Sequence, residues 1–304
     1  ENTMQRIHLP NTDVELSRLV YGVWRLADDQ DTSVDHVRAK IDAALAEGIT
    51  TFDHADIYGN YECEALFGTA LAADPSLRDK MELVSKCDIA LATDKFPDRR
   101  VKYYDTSADY IQTSVENSLR HLHTDHLDLL LIHRPDPLMN AAETGAALDA
   151  LIDTGKTRAV GVSNFGVHDW RLLQANMKHK LCVNQIEMSV LERSAFTDGT
   201  LAAMQLDQIQ AMAWSPLAGG QIFGSDAAAK RVRPLLEKVA SSTANDRVDL
   251  AAFAWLLAHP AGILPVVGTN NLDRIKGLAQ AMDITIDRET WFEIWTAAAG
   301  QEVP

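Results

Sequence analysis

Cysteine is scarce in this chain. Only Cys63, Cys87 and Cys182 occur in 304 residues, scattered and odd in number. That argues against a disulfide framework and fits reduced thiols in a cytoplasmic protein. Positive charge is also short, with 28 Lys and Arg against 43 Asp and Glu, a formal charge of −15. Such a surface repels phosphate backbones, so nucleic acid is not expected as a partner. No apolar run approaches the roughly 20 residues of a membrane-spanning helix, and no basic segment followed by an apolar stretch marks a secretory leader. A cytoplasmic protein without a membrane partner is therefore expected. The Gly-x-Gly-x-x-Gly turn of a doubly wound dinucleotide-binding sheet is missing too.

What is present is a strand–helix pattern repeated without a break in composition. Residues 4–17 read as a hairpin, with Ile7 and Leu9 alternating before the turn Asn11-Thr12-Asp13, and Val14 and Leu16 after it. Leu19 to Gly22 reads as a strand. A helix follows with Ser33 as cap, Val34, Val37, Ile41, Ala44 and Leu45 on one face, and Gly48 as stop. The pattern then predicts strands at 49–53, 81–86, 127–133, 159–162, 181–185, 210–214 and 262–267. It predicts helices at 61–73, 107–122, 140–153, 167–177, 198–207, 230–241, 247–258, 271–281 and 288–298. Eight strand–helix units in this length predict one domain over 1–304. The expected fold is an α/β (β/α)8 TIM barrel with an N-terminal β-hairpin and extra C-terminal helices. In such a barrel the strand C-termini line the active mouth, where Asp53, Lys86, His133, Asn164, Gln185 and Trp214 fall.

The stretch Phe52-Asp53-His54-Ala55-Asp56-Ile57-Tyr58-Gly59 places a carboxylate at a strand end and a phenol on the loop that follows. Lys86 and His133 end two further strands. A free tyrosine, with a pKa of about 10, is a poor proton donor at neutral pH. An ammonium nearby is expected to lower that value, a carboxylate to keep the ammonium charged, and a neutral imidazole to hold a substrate oxygen. Together they suit protonation of an oxygen on which negative charge develops. Carbonyl reduction needs that, with hydride from a cofactor, because no side chain supplies hydride. The plain alternative is that Asp53 and Lys86 are a structural ion pair.

Seven motifs now carry a resemblance. They are Phe52-Asp53-x-Ala55-x-x-Tyr58-Gly59, Ser85-Lys86, Leu131-Ile132-His133-x-Pro135, Gly161-Val162-Ser163-Asn164-Phe165, Asn184-Gln185-x-Glu187, Trp214-Ser215-Pro216-Leu217 and Val266-Val267-Gly268-Thr269. Over essentially its whole length the sequence resembles an aldo-keto reductase, in particular a little-characterised branch of enterobacterial oxidoreductases. The resemblance implies a catalytic tetrad of Asp53, Tyr58, Lys86 and His133, with Tyr58 as general acid. It implies that Ser163, Asn164 and Gln185 hold the nicotinamide carboxamide and that Trp214, followed by Ser215, stacks on its ring. Trp24 and Arg25 then touch the cofactor from the first loop, and Leu217, Gly219 and Gln221 lie in a loop over the pyrophosphate.

Gly268, Thr269, Asn270 and Asn271 precede a predicted helix whose free N–H groups favour an anion, and Arg274 adds a fork suited to a phosphate monoester. NADPH is therefore the expected cofactor. Three positions depart from the family pattern. His54 stands where Thr is common, Gly268 replaces a lysine near the 2′-phosphate, and Leu278 replaces a polar residue that contacts adenine.

His121, His123 and His126, with Asp125 and Asp128, resemble a metal cluster, but they fall at a helix C-terminus on the bottom side of the barrel. No metal is expected. The expected partner is a small carbonyl substrate, and the chain is expected to be a monomer or weak homodimer. The competing readings are a slow-turnover NADPH-binding sensor or regulatory subunit, and a Schiff-base lyase with Lys86 as nucleophile.

Overall fold

The computed structural model describes residues 3–304. Strands β1 (Arg6–His8) and β2 (Glu15–Ser17) pair antiparallel as the predicted hairpin. Strands β3 (Val20–Gly22), β4 (Thr51–Asp53) and β5 (Glu82–Cys87) then begin a parallel barrel. A second, unpredicted hairpin follows, formed by β6 (Ile89–Ala90) and β7 (Tyr103–Tyr104). The barrel continues with β8 (Leu129–Ile132), β9 (Val160–Ser163), β10 (Leu181–Glu187), β11 (Gln210–Trp214) and β12 (Leu264–Val267). It closes when β12 pairs with β3, giving eight parallel strands ringed by helices.

Short strands work here because each is buried on both faces, and alternation divides their side chains between two cores. Val20, Val84, Leu129, Leu131, Val183, Met212 and Leu264 fill the barrel interior. Leu9, Val14 and Leu16 from the first hairpin join that same cluster. Their neighbours Leu83, Leu130, Ile132, Val160, Val162 and Ala211 face the helical ring.

Local signals place most helices. The Ser33 side chain accepts the His36 N–H at the start of Val34–Ala46, and Gly48 at φ +76 ends it. Ser107 likewise caps Ala108–His121 by accepting from Tyr110. Helix Cys63–Ala73 packs closely there, because a Cβ on Gly68 would lie 1.8 Å from the His121 carbonyl oxygen.

Two predicted helices differ. The expected helix 271–281 is a single turn, Leu272–Ile275, then a 3-10 segment, Leu278–Asp283. Gly277 at φ +82 breaks it. The helix expected at 61–73 begins only at Cys63. Before it, Tyr58–Tyr61 is a tight turn in which Gly59, Asn60 and Tyr61 all have left-handed backbones. A Cβ on Gly59 would come within 2.6 Å of both Ala27 Cβ and Cys63 Sγ.

Candidate active site

Strand parity builds the site. Asp53 shares the inward parity of Thr51, Lys86 that of Val84, and His133 that of Leu129 and Leu131. Ser163, Gln185 and Trp214 occupy the same parity at the tops of β9, β10 and β11. Six polar or amphipathic groups therefore crowd one end of an otherwise apolar barrel.

Lys86 is their centre. Its Nζ donates to Asp53 Oδ2 at 2.7 Å, to the His54 carbonyl at 2.9 Å and to the Tyr58 hydroxyl at 2.9 Å. An ammonium has three protons, and all three are used. Burial acts to lower the Lys86 pKa, but Asp53 and Tyr58 outweigh it and hold the amine above its ordinary value. An amine held in its charged form lacks the lone pair a Schiff-base nucleophile needs, which argues against the lyase reading.

The expectation of a lowered Tyr58 pKa is not met. Burial raises the phenol above its ordinary value, and the opposing pull of Lys86 does not overcome it. Tyr58 is thus a neutral phenol whose oxygen accepts from Lys86 while its own proton stays free to donate elsewhere. Burial, then Lys86, Arg134 and Lys102, drive His133 well below its ordinary value, so its imidazole is neutral. Its ring stands edge-on to Tyr58, with centroids 6.0 Å apart. Its Nδ1 is buried without a hydrogen-bond partner among the described residues.

A hydrogen-bonded chain runs round the mouth from this pair. Gln185 Nε2 donates to Asp53 Oδ1 at 2.9 Å, and Ser163 Oγ to the Gln185 carbonyl at 2.7 Å. Asn164, at φ +60, donates to Ser163 Oγ and to the His133 carbonyl, and accepts from Trp214 Nε1 at 2.8 Å.

These groups line a cavity of about 700 Å³. Asp53, Tyr58, His133, Ser163, Asn164, Gln185 and Trp214 all reach its wall, whereas Lys86 lies behind them. Trp24, Arg25, Ser215, Leu217, Gly219, Gly268, Thr269 and Arg274 also line it, as does the departing residue Leu278. Gln221 does not. It is exposed outside the wall, because Gly219 and Gly220 both reverse the backbone at positive φ and bring Phe223 to the cavity instead.

Sequence reasoning also missed Arg134 and Arg247. Arg134 lies inside the His133 motif but was given no role there, and its guanidinium sits 5.9 Å from the Trp214 ring centroid. Arg247 gave no signal beyond the start of a helix. It grips Asp249 and the carbonyls of Arg274 and Lys276, tying two segments of the wall together.

Neither the His54 side chain nor the His121, His123 and His126 cluster joins the site. His54 is fully buried, edge-on to Phe67 at 4.5 Å, and burial lowers its pKa to about 3. His126 pairs with Asp125 just before β8, at the opposite end of the barrel. Among the described residues no group of three His, Cys, Asp or Glu side chains has metal-holding geometry.

Residues 18–298 match the Aldo/keto reductase family. The chain belongs to the aldo/keto reductase family. It is therefore an oxidoreductase enzyme of a family typified by nicotinamide cofactors and small carbonyl substrates. Among aldo/keto reductases of known sequence it is 54% identical to a 6-dehydroglucose reductase of Agrobacterium fabrum, over 99% of this chain and 100% of that one. It is 42% identical to the oxidoreductase YdhF of Escherichia coli, again over 99% and 100%. Among solved structures it superimposes on the aldo-keto reductase AKR11C1 of Bacillus halodurans with a TM-score of 0.79, at 23% identity over 99% and 98% of the two chains. That likeness concerns the fold. Among the described residues no helix is long and apolar enough to cross a membrane.

Proposed function

We propose that this aldo/keto reductase reduces aldehydes or ketones to alcohols with NADPH, acting as one domain over 1–304 and as a monomer or weak homodimer. The observation that carries the reading is the Lys86 ammonium, which gives one of its three protons to the Tyr58 oxygen. That hydrogen bond stabilises the phenolate left after proton transfer, while burial keeps the proton on Tyr58 beforehand. Asp53 keeps Lys86 charged. The neutral His133 holds the carbonyl oxygen within reach of the phenol.

The cofactor fits the residues present. Trp214 offers an indole face anchored by Asn164, and Gly219 and Gly220 have nothing within 4 Å of where a Cβ would stand. Arg274 makes no side-chain hydrogen bond among the described residues, which leaves its fork for a 2′-phosphate. NADPH, when bound, supplies the hydride. The similarity to 6-dehydroglucose reductases supports a sugar aldehyde as substrate, with the aldehyde at the Tyr58 end and Arg134 available to its hydroxyls.

The test is NADPH oxidation over a panel containing 6-dehydroglucose, other sugar aldehydes and benzaldehyde, run beside NADH. Turnover of the sugar aldehyde is expected. Tight NADPH binding without turnover of any carbonyl would leave only a binding role.

A further inference from the structure

The segment between β5 and α-helix Ala108–His121 is not used by the chemistry above, yet it touches both sides of it. Its tip is bonded to the turn that carries Tyr58. Tyr61 Oη accepts from the Leu91 N–H at 2.9 Å and from Arg99 Nη1 at 3.1 Å, and Arg99 Nη1 also reaches the Leu91 carbonyl at 3.1 Å. Asn60 Nδ2 donates to Asp94 Oδ1 at 3.0 Å. The Tyr61 ring meets Phe96 edge-on, with centroids 4.9 Å apart.

Its base is bonded to the strand end that carries His133. Asp88 has φ +110, a conformation that an aspartate rarely adopts, and its carboxylate is buried. Asp88 Oδ1 accepts the Arg134 N–H at 3.0 Å, the amide immediately after His133. The preceding Cys87 carbonyl accepts the His133 N–H at 2.9 Å, and the Asp88 carbonyl accepts the Asp105 N–H at 2.8 Å to close the hairpin.

We propose that segment 88–105 is a brace that sets the distance between Tyr58 and His133, with Tyr61 and Asp88 as its positioning residues. The reason is strain. Asn60 and Tyr61 follow Tyr58 with left-handed backbones at φ 54 and 67, which a bulky aromatic resists unless neighbouring contacts hold it. The phenol of Tyr61 supplies that hold, anchored on Leu91 and Arg99. Asp88 is similarly over-determined, being tied through both its side chain and its carbonyl. Burial raises the Asp88 pKa to about 9, so at neutral pH it is a neutral acceptor, which an asparagine reproduces.

The inference rests on the reductase reading, so its test has an arm independent of turnover. Tyr61→Phe deletes one oxygen and keeps the ring on Phe96. Asp88→Ala deletes the acceptor, and Asp88→Asn keeps a carbonyl in its place. With benzaldehyde and NADPH, kcat is expected to fall at least fivefold in Tyr61→Phe and Asp88→Ala. The Michaelis constant for NADPH should stay within twofold of wild type, and Asp88→Asn should retain more than half of kcat. Amide hydrogen exchange at 57–62 should accelerate at least tenfold in Tyr61→Phe while β10 is unchanged.

Wild-type kcat and exchange in Tyr61→Phe overturn the proposal, even if Asp88→Ala fails to fold. Equal loss in Asp88→Asn and Asp88→Ala also overturns it, because the carboxyl itself would then be the required group. So does an NADPH constant that rises in step with the loss of kcat. If the wild-type enzyme turns over no carbonyl, the reductase reading fails and the exchange result alone decides the brace.

Discussion

On the proposed mechanism Tyr58 keeps its proton until a carbonyl oxygen beside it becomes negative, and two opposed effects suit it to this. Burial raises its pKa, while the Lys86 hydrogen bond stabilises the anion that forms later. On the proposed mechanism Tyr58→Phe loses the acid and keeps the ring. Positioned acid catalysis contributes about 10²–10⁴-fold, so kcat for any aldehyde should drop by at least the lower figure. NADPH affinity, read by quenching of tryptophan fluorescence, should be unchanged. Retained turnover would defeat the assignment of Tyr58 as acid. Arg274 belongs to the same scale. A charge-assisted contact to a phosphate is worth about 1.5–3 kcal/mol, roughly ten- to a hundredfold in binding. Arg274→Ala should therefore raise the Michaelis constant for NADPH by that factor and leave that for NADH nearly alone. Equal effects would refute the 2′-phosphate role.

At the level of elements, alternation explains why the sequence betrayed so much. Each barrel strand repeats every two residues, so an apolar run ending in Asp53, Lys86 or His133 tells which way that last side chain faces. The Ser33 helix cap was equally plain. The turn at Tyr58-Gly59-Asn60 was legible too, but its extension through Tyr61 was not, because the left-handed Tyr61 obeys contacts with Leu91 and Arg99 rather than its own propensity. The hairpin of β6 and β7 escaped for a similar reason, since two-residue strands carry no period. Helix packing gives its own test. Gly68 leaves no room for a methyl group beside the His121 carbonyl. Gly68→Ala must push helices Cys63–Ala73 and Ala108–His121 apart, at an overpacking cost of about 1–3 kcal/mol. Its urea midpoint should fall accordingly, and a wild-type midpoint would show that the helices separate freely.

The whole molecule carries a buried store of acid behind the site. Glu64 accepts from Ser85 and Ser118 at 2.8 and 2.9 Å, yet burial raises its pKa to about 7. Asp56 is raised as well, by burial and then by Glu64. A carboxyl raised on folding holds its proton longer in the folded state. Its stabilising effect is therefore complete below the unfolded value near 4.5 and is lost as pH rises through about 7. For Glu64 the loss amounts to about 3 kcal/mol. Glu64→Gln removes the titration, so its melting temperature should gain on wild type between pH 5 and pH 8. A constant difference across that range would show that Glu64 does not titrate there.

From the chain alone one could know the barrel, its strand ends and the four groups expected to act, because periodicity and local caps depend on near neighbours. Folding alone decided how those groups behave. The Lys86 contacts to Asp53 and Tyr58 join residues 33 and 28 positions apart. Whether burial or charge governs the Tyr58 proton depends on everything packed around it. The same holds for the cavity wall, where Arg134 and Phe223 appear and Gln221 does not. Composition and spacing are read along one dimension, whereas desolvation and the reach of a side chain are properties of three.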